Sequence, residues 1–232
     1  MSRHFFIPMA LILCLETSTT QCSVGLAKDG QLIALKEEKS EQYMHSEWLH
    51  VFIEKLLEEA GVVVSDLDAV AVGKGPGSYT GLRIGVSAAK GLCFAQNLKL
   101  IALPTLDVLA RQIEAQGVLV PLLDARRMEV YSKVLDSDFR ELRTTEAEVI
   151  DERSFEAFRG QQTVHLIGPG AEKCREILGE EGIQYHTEAL PSARQMAAFA
   201  QEKLERDEVE DVAYFEPYYL KDFVMQKPKP KA

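Results

Sequence analysis

The chain has 232 residues with 26 Lys+Arg against 36 Asp+Glu, a formal charge of −10. Its 46% hydrophobic and 27% charged residues are those of a globular protein and exclude a disordered or fibrous chain, while its acidity excludes an autonomous nucleic-acid binder. The four cysteines (Cys14, Cys22, Cys93, Cys174) form no CxxC pair, so neither a zinc ribbon nor a disulfide framework is expected and a reducing, cytoplasmic setting is the simplest assignment.

Behind Arg3, Phe5 to Leu15 is an apolar run of 11 residues, too short to span a bilayer. No small-x-small cleavage site follows it, so the expectation is a buried first strand rather than a signal peptide. Leu11 to Glu16 reads as a strand, Thr17 to Gln21 as a turn, Cys22 to Ala27 as a second strand, and Asp29-Gly30 as a hairpin turn into Gln31 to Lys36. Helical periodicity runs from Ser46 to Ala60 with Gly61 as C-cap, and Leu67 to Val72 is an apolar strand. A glycine-rich loop, Gly73 to Gly81, then leads into a helix ending near Gln96, with Ser78 or Thr80 as N-cap.

The second half repeats this plan. Val118 to Asp124 is a strand ending in a carboxylate, Ala125-Arg126-Arg127 is a turn, and Glu129 to Leu135 is a strand before a turn at Ser137-Asp138. Thr163 to Ile167, Gly168-Pro169-Gly170 and a helix from Ala171 to Leu178 echo the earlier strand, glycine loop and helix. A duplicated α/β domain is therefore expected, with its boundary between Leu103 and Gly117: one lobe over residues 1–108, a second over 109–220, and a flexible Lys/Pro-rich tail at 221–232. A last amphipathic helix spans Ala193 to Arg206, ahead of an irregular Pro217-Tyr218-Tyr219-Leu220.

Several sites invite chemistry. Backbone amides of a glycine loop before a helix can cradle phosphate, but Lys74 precedes the glycines, against GxxxxGK[ST], and Thr80 stands where GxGxxG needs its third glycine. The other reading is a tight turn allowing close helix packing, with Gly81, Gly85 and Ala89 at four-residue spacing. Glu16 and Asp124 end corresponding strands and are candidate paired carboxylates, or mere surface markers. His45 and His50 are five residues apart and point about 140° from each other on a helix, so they make no HExxH site; His4, His165 and His186 read as isolated. Trp48 lies outside the apolar arc of its helix, among charges, as an interface anchor or a residue beneath a loop.

At Leu11-Ile-Leu-Cys-Leu-Glu-Thr-Ser-Thr, Gln42-Tyr-Met-His-Ser-Glu, Gly73-Lys-Gly-Pro-Gly-Ser-Tyr-Thr-Gly-Leu-Arg-Ile-Gly, Asp124-Ala-Arg-Arg-Met-Glu-Val-Tyr, Pro191-Ser192-Ala193 and Pro217-Tyr-Tyr-Leu-Lys, the chain resembles the TsaB (YeaZ) family. The resemblance implies a duplicated actin-like, ribonuclease-H-like fold and a non-catalytic subunit in the synthesis of N6-threonylcarbamoyladenosine beside the anticodon of tRNA. It implies pairing with the catalytic relative TsaD, with the ATPase TsaE joining, and a homodimer when TsaD is absent. TsaD carries an HxxxH metal pair, and Thr105 and Leu109 stand at those positions here, so no cofactor is expected on this chain alone and ATP, ADP and metal are expected in the partner subunits. Pairing through a helix bundle would use Trp48, Phe52, Gly81, Leu82, Gly85, Val86 and Leu92; Arg126 is a possible nucleotide contact at the subunit junction. tRNA contact is expected through the complex, and no membrane contact. Two alternatives stand beside this: an active actin-like ATPase or kinase using Glu16, Asp124 and the glycine loops, and a metallopeptidase-like protein, which the missing HxxxH disfavours.

Overall fold

In a computed structural model, residues 9–40, 44–160 and 162–221 are described. The opening meander is β1 (Leu11–Glu16), β2 (Gln21–Lys28) and β3 (Gln31–Lys39); Asp29 and Gly30 both take positive φ, 53° and 75°, as a type I′ hairpin turn requires. Then follow α1 (His45–Ala60), β4 (Ala69–Gly75), α2 (Tyr79–Gln96), β5 (Lys99–Pro104) and α3 (Thr105–Ala110). Gly61 closes α1 in the left-handed conformation, the C-cap that glycine supplies without a Cβ penalty.

The second half comprises β6 (Val118–Asp124), β7 (Glu129–Leu135), β8 (Glu141–Val149), β9 (Val164–Ile167), α4 (Glu172–Leu178), β10 (Ile183–His186) and α5 (Ala193–Glu205). The strand orders are β3-β2-β1-β4-β5 and β10-β9-β6-β7-β8. In each sheet the first three strands pair antiparallel and the remaining two add in parallel. The same five-strand topology thus occurs twice, as the expected duplicated α/β fold requires.

Period-two alternation sends successive side chains of β1 to opposite faces. Leu13 and Leu15 join Val70, Val72, Leu49 and Leu56 under α1 and α2, while Ile12 and Cys14 join Ile101, Leu103, Met196 and Ala200 under α5. The last helix therefore completes the first lobe, which corrects the expected second lobe of 109–220, because the apolar face of α5 fits the open face of the first sheet. The chain's end continues along it: the Glu210 N–H donates to the Leu100 carbonyl at 2.8 Å and the Tyr218 N–H to the Lys74 carbonyl at 2.7 Å. Between the lobes all six residues of α3 are buried, and Leu106 and Leu109 pack with Leu119, Leu135 and Ile167. Buried Lys133 of β7 donates to both Asp107 oxygens at 2.9 and 3.0 Å, and the Arg111 guanidinium lies 4.5 Å from the Phe139 ring and 4.1 Å from that of Phe199.

All four cysteines are free and buried; burial pushes the thiols of Cys14, Cys22 and Cys174 up to about 12 and that of Cys93 to about 11. Among the described residues no helix is long and apolar enough to cross a membrane. The start of the apolar run at Phe5 to Pro8, His4, Gln42 and Tyr43 of the Gln42 motif, and residues 222–232 of the tail lie outside the described residues.

Candidate functional site

The glycine loop is filled by its own chain. The turn between β1 and β2 lies directly against it, and each glycine on that side removes a collision: a Cβ on Gly73 would overlap Glu16 Oε2, on Gly81 the Thr17 carbonyl and on Gly85 the Thr17 hydroxyl, while on Gly77 it would sit 2.6 Å from the Ser18 carbonyl. Hydrogen bonds fasten the two segments. The Ser78 N–H donates to the Ser18 carbonyl at 2.7 Å and the Thr17 hydroxyl to the Gly81 carbonyl at 2.8 Å. Ser78 is the N-cap of α2, accepting the Gly81 N–H at 3.2 Å. Residues 16–18 therefore pack against the loop, and the amides of Gly75, Ser78 and Gly81, which a cradled phosphate would use, already have partners within the chain.

The paired-carboxylate expectation is corrected by the surroundings of the two groups. Glu16 and Asp124 do end corresponding strands, but Glu16 is fully buried. Its Oε1 accepts the Ser18 N–H at 2.7 Å and its Oε2 has no hydrogen-bond partner among the described residues. Burial raises this carboxyl above its ordinary range, with the Ser18 bonds opposing, because a low-polarity interior disfavours the charged form. Asp124 is instead exposed, paired with Lys173 at 2.6 Å and accepting the Arg126 N–H at 2.6 Å. One is a buried acid and the other a surface ion pair.

Thr105 and Leu109 are both fully buried; Thr105 Oγ1 accepts the Gly75 N–H at 3.1 Å, and Leu109 packs with the residues that join the lobes. One is a poor metal donor and the other none. The expectation of isolated histidines holds for neither His165 nor His186: adjacent parallel strands bring His165 Nδ1 to 3.1 Å from His186 Nε2, and His165 Nε2 donates to the Gln116 carbonyl at 3.1 Å. Sequence separation hid this pair.

The surface expected to meet a partner is rearranged. Gly81, Leu82, Gly85 and Val86 are buried, so they serve this chain's own core and the Thr17 contact rather than an outside helix. Trp48 and Phe52 are half-buried and stacked, with centroids 6.0 Å apart and rings 16° from parallel. They share a stripe of α1 with Glu59, which pairs with Lys36 of β3 at 2.8 Å, so that stripe borders β3. Ser46 and His50 lie about 160–200° around α1 from Trp48. They line an open groove of about 570 Å³ with Arg83, Ser87, Gly91 and Leu92 of α2. Leu92 is the one expected contact that borders this groove. A Cβ on Gly91 would meet nothing within 4 Å, and Phe94, one turn on, is 85% exposed. Those two residues, outside the buried arc of α2, are the sequence signal that spacing alone did not single out. Arg126 is exposed on the β6–β7 turn of the second lobe and does not line the groove.

The tyrosines of Pro217-Tyr-Tyr-Leu also gain a place. Arg83 Nε donates to the Tyr219 hydroxyl at 3.2 Å and its guanidinium sits 4.1 Å above the Tyr79 ring, which is 4.9 Å from that of Tyr219.

The chain is similar to known proteins along most of its length. The profile of a family described as TsaD: tRNA N6-adenosine threonylcarbamoyltransferase matches residues 38–229. The tRNA threonylcarbamoyladenosine biosynthesis protein TsaB of Escherichia coli is 31% identical, over 94% of this chain and 98% of that protein. Its namesake in Haemophilus influenzae is 32% identical, over 94% and 97%. A solved structure described as YeaZ from Pseudomonas aeruginosa superposes with a TM-score of 0.81 at 28% identity, covering 91% of this chain and 100% of that one. The chain belongs to the TsaB (YeaZ) family, whose curated members are named as tRNA threonylcarbamoyladenosine biosynthesis proteins.

Proposed function

We propose that this chain is a non-catalytic subunit in forming the threonylcarbamoyl group on N6 of the adenosine beside the anticodon, in tRNAs reading codons that start with adenine. It binds and activates a TsaD-type transferase, and TsaE joins the pair. The observation that carries this reading is the filled glycine loop: residues 16–18 pack against it, its Gly75, Ser78 and Gly81 amides are bonded within the chain, and Glu16 is buried where a phosphate-facing carboxylate would have to be open. Buried Thr105 and Leu109 support it as well, since their donor chemistry does not suit a catalytic metal. ATP, ADP and metal then belong to the partner subunits, and the complex works in the cytoplasm.

Docking uses the groove between α1 and α2, where apolar Leu92, Ile84 and Ala88 are rimmed by Arg83, His50 and Ser87, an apolar centre within a polar rim as in protein interfaces. The same groove holds a second copy of the chain when the transferase is absent. Gly91→Trp tests this without touching the core, because Gly91 faces open space. The variant should stay folded and lose co-purification with the transferase. Undiminished co-purification would refute docking at the groove.

A further inference from the structure

The β6–β7 turn holds two adjacent arginines, Arg126 and Arg127, both exposed and both at positive φ, 73° and 52°. Each carboxylate flanking them is taken by a lysine from elsewhere. Lys173 of α4 pairs with Asp124 at 2.6 Å and also donates to the Arg127 and Glu129 carbonyls at 2.9 and 2.8 Å. Lys221, at the end of the segment that crosses from the first lobe, pairs with Glu129. Neither arginine guanidinium has a carboxylate or hydrogen-bond partner among the described residues. The six groups Asp124, Arg126, Arg127, Glu129, Lys173 and Lys221 sum to +4 − 2 = +2, so the rest of the chain carries −10 − 2 = −12. A local positive charge with its own acids already neutralised is therefore held on an acidic body.

We propose that Arg126 and Arg127 form a contact site for successive phosphates of an RNA backbone, the tRNA of the complex. This rests on the proposed role of the chain in a tRNA-modifying complex. Guanidinium is suited to phosphate by its planar, bidentate donors and permanent charge. Both side chains stand on an exposed turn rather than inside a cavity, which suits a backbone passing over the surface and does not enclose a mononucleotide. The acidic remainder repels RNA, so the contact orients tRNA that other subunits hold instead of capturing it alone.

The test is binding of fluorescently labelled tRNA to the full-length chain, alone and assembled with its partner, at 50 and 200 mM salt. Arg126→Gln with Arg127→Gln should weaken binding and flatten its salt dependence. Each lost phosphate contact removes about 0.9 from the slope of log affinity against log salt, so wild type should lose about tenfold more affinity than the variant across that range. Arg153→Gln with Arg194→Gln removes two exposed arginines elsewhere and should change neither quantity. The proposal is overturned if the turn variant binds tRNA as wild type does. It is equally overturned if the control pair weakens binding as much, or if millimolar ATP competes with tRNA at these arginines. Failure of the wild-type chain to co-purify with the transferase would count against the proposed function, whereas an assembled complex whose tRNA affinity and salt slope the turn variant leaves unchanged would overturn this contact alone.

Discussion

Two glycines six residues apart on α2 should respond in opposite directions to the same substitution. At Gly91 a methyl enters open space, so Gly91→Ala should stabilise by about 0.5–1 kcal/mol through the lower entropy cost of ordering alanine in a helix. At Gly85 the methyl overlaps the Thr17 hydroxyl, which donates to the Gly81 carbonyl at 2.8 Å in a buried site. Displacing the turn costs about 1–3 kcal/mol in overpacking. Leaving that buried pair unmade costs about 1–3 kcal/mol more. Subtracting the helix gain leaves Gly85→Ala destabilising by about 3 kcal/mol, roughly 4 kcal/mol below Gly91→Ala. Urea unfolding reads this directly: at an unchanged slope of about 1–3 kcal/mol per M, the two midpoints should differ by more than 1 M. Thr17→Ala should cancel part of the Gly85→Ala penalty, because contacting residues couple. Equal midpoints for the two alanine variants would refute the assignment of Gly85 to internal packing, and with it the filled loop.

The titrating groups add further expectations. Glu16 has a folded pKa raised by burial, so its contribution is fully present below the ordinary carboxyl value of about 4.3 and is lost as pH rises through the folded value. Glu16→Gln should therefore raise the urea midpoint at pH 7 and leave it unchanged at pH 4; no gain at pH 7 would contradict a buried, protonation-favouring site. His186 and His45 are lowered, both chiefly by burial and His186 also by His165. The unfolded chain then binds protons that the folded one refuses, and stability should fall as pH drops below about 6.5. His186→Gln should flatten that acid limb, which urea midpoints at pH 8 and 5.5 would record.

Much of the architecture was readable because duplication wrote it twice. Asp29-Gly30, Gly61 and Ser78 act as the turn, C-cap and N-cap that their residue types require. What escaped lacks a period. The strand β8 reads Glu-Leu-Arg-Thr-Thr-Glu-Ala-Glu-Val with mostly exposed or half-exposed residues, so no apolar alternation marks it. Every residue of α3 is buried, which erases the amphipathic signal that identifies a helix. The return of α5 and residues 210–219 to the first lobe is a long-range pairing that no local pattern encodes. At the candidate site, small residues on α2 suggested close approach and that was physically sound, but spacing could not say whether the approaching group was a foreign helix or the turn at Thr17. The open face instead carries Gly91 and Phe94, which a helix serving only its own core has no reason to place outward.

The most direct measurement is reconstitution of the modified nucleoside from threonine, bicarbonate, ATP and tRNA with TsaD, TsaE and the threonylcarbamoyl-adenylate synthase. A required non-catalytic subunit predicts product only when this chain is added, loss of product with Gly91→Trp, and no ATP turnover by the chain alone. Equal product without the chain, or saturable ATP hydrolysis by the isolated protein, would contradict it.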